Sequence, residues 1–568
     1  MIKEVHTDIL VIGTGISGLY FSIGIPDNLK ISLISKTNIK ENNSSLANCG
    51  IAVALGENYS GELHINDTLR ACCGLSDPEA VKRLIESAQT EIGNLVKLNI
   101  KFEKKDELLA LEQENGHSRN RLIHSAEDRI GSEIENILYD SVKKHDNITI
   151  YENHFAVDLI VTNNICYGAV CYNETNNEFT VFYSKAVILS TGGSGQLFLY
   201  TTNSSVSTGD GLSMAFKAGA CLTDIEFIQF YPTALHNPNI PPSESMYPIT
   251  DLLRTSGAIL VNIDGEAFML KYHPKAELAP RDIITRAIYE EMIKTKYPFV
   301  FLNVSRVNNF QKKFSKIYEK CLNQKIDLSE NQIPVSPAAH YMIGGIKTDI
   351  SGKTNISGLY AIGECGSSGV HGANRLFGNS LLECIVFSKN ASEDVIKNMD
   401  NTRKTNDLMQ TESVKADNIP VSRINLNTFN SYLIKNETKL DDLRSKLQET
   451  MWSKSGIMRN EANLKKASQK IDLFLKSLSK FESKMLGKTN KKELISRTKK
   501  KKTTAVKKYF ELKNMLLTAK LITEAAIARN ESRGVHYRSD YPVSNDRIWL
   551  KHLTFQEIPA LKELNFLL

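Results

Sequence analysis

The sequence predicts an α/β fold: a Rossmann-like nucleotide-binding domain, an inserted α+β capping domain and a helical C-terminal domain. Three observations predict it. Asp8-Ile-Leu-Val-Ile-Gly13 reads as a buried strand that ends in a glycine turn. Short β-type runs alternate with helical patterns through residue 225. The last third carries apolar residues at helical spacing and little Gly or Pro.

Each domain has its own signature. Within residues 1–225, the runs Ile31–Ile34, Ile148–Tyr151, Phe155–Val161, Ile165–Cys171 and Ala186–Leu189 are strand candidates. Residues 226–342 are richer in Pro and lose that rhythm, so they read as the inserted cap. Glycine-rich α/β signals return over Met342–Ser388, which assigns 343–397 to the first domain. Residues 398–425 are polar and poorly periodic, as in a linker. Within 426–568, the segments Leu443–Ile457, Leu464–Phe481 and Leu512–Arg529 predict helices.

Composition bounds the function. The chain has 568 residues, too many for a single core, with 41% hydrophobic and 24% charged residues and a net charge of +6. No apolar run reaches the roughly 18 residues that span a bilayer. The opening residues show no signal-peptide pattern, so a cytoplasmic protein is expected, without a membrane partner. The nine cysteines include no C-x-x-C, so no metal site is expected. Lys488–Lys508 is lysine-rich, but no aromatics interleave with its charges. It reads as a solvated face, and no nucleic-acid partner is expected.

Gly13-Thr-Gly-Ile-Ser-Gly18 lies between a strand and a helix start. The first glycine suits the bend, the second a close backbone approach to a pyrophosphate, and the third tight helix–strand packing. An acidic residue about 20 positions on usually binds ribose; here the second strand ends in Ser35-Lys36. Ser35 could meet the ribose and Lys36 a phosphate. Ser190-Thr-Gly-Gly193, Thr208-Gly-Asp-Gly211 and Gly358-Leu-Tyr-Ala-Ile-Gly-Glu364 are further glycine clusters, two of them with an acid. Asp210 is placed to cap the helix that follows it.

Longer motifs add specificity. They are Ser45-Leu-Ala-Asn-Cys-Gly-Ile51, Glu226-Phe-Ile-Gln-Phe-Tyr-Pro-Thr-Ala-Leu235, Glu277-Leu-Ala-Pro-Arg-Asp282, Ala339-His-Tyr-Met-Ile-Gly-Gly345, His371-Gly-Ala-Asn-Arg375 and Asn379-Ser-Leu-Leu-Glu383. Through them, residues 7–397 and the C-terminal helices closely resemble the flavoprotein family of fumarate reductase, succinate dehydrogenase and L-aspartate oxidase. Glu531-Ser-Arg-Gly-Val-His536 and Met451-Trp452 with Gly456-Ile-Met-Arg459 resemble its aspartate-oxidising branch.

The resemblance implies a Rossmann-like FAD-binding domain. Its FAD contacts fall on Gly13, Gly15, Ser17, Gly18, Lys36, Asn43, Ser44, Ser45, Leu46, Ala47, Asn48, Cys49, Gly50, Asp210, Glu364, Ser380 and Leu381. Membrane-bound members attach FAD to a histidine, and the aligned position here is Asn43. Because an amide cannot replace the imidazole nucleophile, a non-covalent FAD is expected.

The resemblance also implies a dicarboxylate site. Arginine pairs bidentately with a carboxylate. Arg375, supported by His340, matches the family's carboxylate clamp. Arg281 matches its proton-transfer arginine. Thr250 and Asp251 match a T-E pair that holds substrate, with the acid one methylene shorter. Glu114, in Glu114-Asn-Gly-His-Ser118, matches the acid that holds an amino group.

Three departures stand out: Tyr231 replaces a histidine, Ala47-Asn-Cys-Gly50 replaces A-Q-G-G, and Arg254-Thr-Ser-Gly257 loses an acid. The Tyr231 hydroxyl can still donate to a carboxylate, but carries no positive charge.

The function expected is FAD-dependent oxidation of L-aspartate to iminoaspartate, the first step of de novo NAD synthesis and the supply for quinolinate synthase. Oxygen or fumarate would take the electrons. The alternatives are a soluble fumarate reductase and a low-turnover flavin-binding partner subunit.

Overall fold

Ile9-Leu-Val-Ile12 is buried along its whole length, which suits the middle of a parallel sheet covered on both faces. In the computed structural model it is β1, one of five parallel strands. The others are β2 (Ile31–Ile34), β3 (Ile148–Tyr151), β4 (Ala186–Leu189) and β5 (Leu359–Ala361). Their spatial order is β5-β4-β1-β2-β3. The structure describes residues 3–48, 50–55, 61–106, 108–114, 116–125, 129–240, 244–402, 426–489 and 504–556.

The helices used below are α1 (Ile16–Ile23), α2 (Gly61–Ala71), α3 (Asp210–Lys217), α4 (Arg281–Thr295), α5 (Asn379–Thr402), α6 (Leu426–Lys435), α7 (Glu437–Ser455), α8 (Glu461–Thr489) and α9 (Ala505–Ala528). After the cap, β5 pairs with β4, and α5 packs on α1. A second sheet holds Lys3–His6, Glu178–Tyr183, Ile165–Asn173 and His154–Thr162, in that order.

The cap is an antiparallel sheet ordered Ile228–Leu235, Gln332–Met342, Val300–Asn303, Ile259–Val261. It has a core of its own, including Leu253, Leu260, Ile284, Ile288 and Leu302. The two longest cap strands reach back to the first domain, where Ala339 bridges to Thr201. That connection sets Tyr231 and His340 at the seam between the domains.

The described residues of the C-terminal region are mainly helical up to Ala528, and the short strand Thr554–Phe555 pairs with Leu222–Thr223. Helix α9 is buried nearly all round against α7, α8 and α3, and it carries polar groups such as Glu511 and Asn514 into the interior. Helix α6 was not singled out by the sequence pattern. Helix α5 runs to Thr402, past the start of the expected linker at 398. The remainder of that linker, 403–425, and residues 490–503 of the lysine-rich segment lie outside the described residues. Among the described residues no helix is long and apolar enough to cross a membrane.

Candidate active site

The glycine turn works by close packing. Gly13 has φ +115°, and a Cβ there would sit 2.1 Å from the Ser190 carbonyl oxygen. A Cβ on Gly18 would sit 2.1 Å from the Gly13 carbonyl oxygen, so the third glycine lets α1 lie against the turn. Gly18 does not line the cavity described next.

That cavity has a volume of about 750 Å³ and begins at the turn. Such a volume suits a large cofactor. No side chain caps α1, although Ser44 Oγ accepts the Ile16 N–H at 3.1 Å. The first turn of α1 therefore presents N–H groups to the cavity, an arrangement that favours phosphate.

Most of the expected cofactor contacts line this cavity. Gly13, Gly15, Ser17, Lys36, Asn43–Asn48, Asp210, Glu364, Ser380 and Leu381 are all on its wall. Gly50 instead packs against the His124 ring, and Cys49 lies outside the described residues. Glu364 sits on the backbone of Gly193, accepting the Met342 N–H at 2.9 Å and an Asn43 amide hydrogen at 3.5 Å. Burial pushes its carboxyl up to about 7. Asn43 also accepts the Ser204 N–H at 2.8 Å. The donor set, glycine backbone and buried acid fit a flavin dinucleotide.

Two side chains differ from expectation in what they touch. Lys36 Nζ is held by Asp210 at 2.8 Å and by Glu511 of α9 at 2.6 Å. Its charge is thus compensated before any phosphate arrives. Asp210 does not cap α3: Gly209 is the N-cap, at φ +75°, and no side chain caps the helix. The Asp210 carboxylate instead accepts from Lys36, Thr208 and Asn514.

At the other end of the cavity lie His340 and Arg375. Arg375 donates to Gln229 Oε1 at 3.1 Å and to Ser380 Oγ at 3.0 Å, and stacks over Tyr341. His340 Nδ1 is 2.7 Å from Thr202 Oγ1. Burial, with Arg375 and Arg281 nearby, holds its pKa well below the usual value, so the ring is neutral.

Beyond His340 the cap completes the site. The Tyr231 ring lies 5.1 Å from the His340 ring. Its hydroxyl donates to the Ile249 carbonyl at 2.9 Å and lies 3.3 Å from Asp251 Oδ1. The Arg281 guanidinium is sandwiched between the rings of Tyr231 and Phe377, 5.0 and 4.7 Å from their centres. Arg281 Nε donates to Asp251 Oδ2 at 2.6 Å, and Arg254 pairs with Asp251 Oδ1. Burial alone would raise the Asp251 pKa; Arg254 and Arg281 outweigh it and hold the carboxyl at about 2.

Asp251 therefore organises the arginines, and no spacing in the sequence announced its link to Arg254. Thr250 accepts the Leu252 N–H at 3.4 Å and is not on the cavity wall. Glu114 is 6% exposed and near Asp251 and Arg281. Burial and the Asp251 charge raise its carboxyl to about 7, against the pull of Arg281 and Arg254.

The FAD binding domain family matches residues 8–381, and the fumarate reductase flavoprotein C-terminal family matches 444–562. The L-aspartate oxidase of Synechocystis sp. is 37% identical over 561 residues, covering 97% of both chains. The chain belongs to the L-aspartate oxidase family. Another relative, the chloroplastic L-aspartate oxidase of Arabidopsis thaliana, is 34% identical over 94% of this chain and 81% of its own. The solved quinol fumarate reductase of E. coli superposes with a TM-score of 0.83 at 27% identity, covering 98% of this chain and 96% of that one.

The L-aspartate oxidase family assignment covers the whole described fold. The Rossmann-like FAD-binding domain, the β-rich cap and the helical C-terminal region are those expected from the sequence. For this member of the family, sequence reasoning missed the residues behind the site: Gln229, Phe377, Glu511, Asn514 and the group Asp67–His117–Arg121. The motifs that contain Gln229 and His117, and those that flank Phe377, offered some signal; Glu511 and Asp67 sit in ordinary helical sequence.

Proposed function

We propose that this chain oxidises L-aspartate to iminoaspartate with non-covalent FAD. The observation that carries the reading is the pairing of a cationic clamp with a buried acid, just beyond the His340 side of the cavity wall. Arg254 and Arg281 both pair with the ionised Asp251, and Arg375 stands on the cavity wall, so three guanidinium groups face one carboxylate in the charge balance. The surplus positive charge suits a dianion. Glu114 adds a carboxylate that a substrate ammonium can meet, and succinate or fumarate has none.

Each side chain then has a task. Arg375 holds one carboxylate bidentately. His340, fixed by Thr202, presents its other ring nitrogen to the same region. Arg281, kept flat between two rings and tethered to Asp251, holds a second anionic group. Glu114 receives the ammonium and can take a proton from it at its carboxylate oxygen. FAD, when bound, supplies the two-electron redox chemistry. Thr250 and Asp251 act from behind, by shaping the turn and orienting the arginines.

Asn43 supports the non-covalent link, since its amide is engaged by Glu364 and the Ser204 N–H and cannot act as a nucleophile. Acid precipitation should therefore release the yellow colour into the supernatant. Flavin fluorescence that stays with the denatured polypeptide on a gel would contradict this.

The protein works in the cytoplasm, and its product feeds quinolinate synthase in de novo NAD synthesis. Oxygen or fumarate takes the electrons. Anaerobic stopped-flow mixing tests the reading: L-aspartate should bleach the flavin and fumarate should restore its colour. Bleaching by succinate alone would overturn it.

The Glu114 carboxyl adds a pH dependence. Burial places it at about 7, so it is protonated below that pH. An ammonium needs the carboxylate form, so binding must release a proton there. The kcat/KM for L-aspartate should fall about tenfold per pH unit below that value. A flat profile down to pH 5 would remove Glu114 from substrate binding.

A further inference from the structure

The segment that carries Glu114 is tied to the segment that carries Arg375 by a buried chain of side chains. Asp67, on α2, accepts from the Ser118 N–H at 2.7 Å, the Ser118 hydroxyl at 2.8 Å and Arg121 Nη1 at 2.6 Å. Arg121 is 0% exposed. The same Nη1 lies 2.8 Å from His117 Nδ1. A guanidinium can only donate, so His117 Nδ1 must accept and Nε2 must carry the proton. Nε2 then donates to the Phe377 carbonyl at 2.8 Å. The chemistry of Arg121 thus dictates the tautomer of His117, and the tautomer dictates the bond to Phe377.

The two ends of this chain are the two arms of the site. On one side, the His117 N–H bonds to the Glu114 carbonyl at 3.1 Å, and the Arg121 N–H to the Glu112 carbonyl at 2.9 Å, closing a tight loop around Glu114. On the other, Phe377 stands between Arg375 and Ser380, and its ring lies under Arg281. Helix α2 grips that second arm separately. His64 bonds to the Asn379 side chain at 2.9 Å, and Asn379 donates to Thr68 at 3.1 Å.

We infer that His117 and Arg121 are positioning residues that set the distance between the ammonium contact at Glu114 and the carboxylate contact at Arg375. The inference rests on the reading of Glu114 given above. An amino dicarboxylate must touch both arms at once, whereas a simple dicarboxylate needs only the second. The second arm keeps its own supports, from Gln229 to Arg375 and from α2 to Asn379, when His117 is lost.

The test uses the FAD-loaded full-length protein. His117→Phe should raise the KM for L-aspartate about tenfold or more, since misplacement by about 1 Å can cost far more than that. Its kcat for aspartate and its fumarate reduction should change less than about threefold on the same scale. His117→Gln should recover most of the loss, because its amide can still accept and donate. Arg121→Lys keeps a charge beside Asp67 but lacks the fork, and should show a smaller loss with the same selectivity; it carries the test if the phenylalanine variant does not retain FAD.

Adding His117→Phe to Glu114→Gln decides between positioning and a general structural role. If His117 acts through Glu114, the second substitution adds nothing for L-aspartate. Full additivity, or equal losses on aspartate and fumarate, would overturn the inference. Normal aspartate kinetics in Glu114→Gln alone would instead sink the underlying reading of Glu114.

Discussion

Arg281→Lys is expected to cut the rate of flavin reduction by L-aspartate about a hundredfold or more, the range for removing one oriented group that stabilises charge in a transition state. Position explains the size of the effect. The guanidinium is held flat between Tyr231 and Phe377, and its Nε is bonded to Asp251. A lysine ammonium is a point charge on a flexible stem; it cannot stack on two rings and bond Asp251 while offering further N–H groups along a planar edge to substrate. Arg281 is not on the wall of the large cavity, so FAD should remain bound. Stopped-flow absorbance under anaerobic conditions separates these outcomes. A near-normal rate of reduction would take Arg281 out of the chemistry, and loss of the flavin would make its role structural.

Glu114→Gln should weaken aspartate oxidation selectively. Gln keeps the shape of the side chain and removes the charge. For a side chain so deeply buried, a hydrogen bond to a charged group is worth roughly 1.5–3 kcal/mol. The kcat/KM for L-aspartate should therefore fall at least about tenfold. Fumarate reduction should change little, or improve as repulsion of its carboxylates falls. The variant should also lose the decline in kcat/KM below pH 7, because no carboxyl remains to be protonated. Equal losses on both substrates would make Glu114 a structural residue. A wild-type protein that reduces fumarate and fails to turn over aspartate would be a soluble fumarate reductase.

Much of the cofactor site was legible because it is built from local patterns. The strand β1, the glycine turn and α1 follow each other directly, and each reports its role through residue type and spacing. The same holds for the loop Asn43–Asn48 and for Glu364 at the end of β5, all of which reach the cavity. Lys36 shows the limit of such reading. Its place after β2 pointed to a phosphate, yet its ammonium meets Asp210 and Glu511. Glu511 comes from a helix near the other end of the chain, and nothing near Lys36 indicates it.

The substrate end divides along the same line. Motifs pointed to Arg281, Arg375, His340 and Glu114, because each stands in a recognisable stretch of sequence. Which charges neutralise one another was decided by the tertiary structure. Asp251 ranked as a substrate contact in the sequence; in the fold it is fully ionised and clamped by Arg254 and Arg281. The Tyr231 hydroxyl was expected to donate to a carboxylate; the fold brings it to the Ile249 carbonyl and to the carboxylate of Asp251.

By itself, the sequence determined the order of domains, the nucleotide-binding turn and the residue types available for catalysis. Those depend on backbone periodicity and on side chains within a few positions of each other. Only the tertiary structure decided the carboxyl of Glu114 and the tautomer of His117. Both are set by charges and hydrogen bonds from segments far apart in the chain, and such forces act only after folding has brought those segments together and removed the water between them.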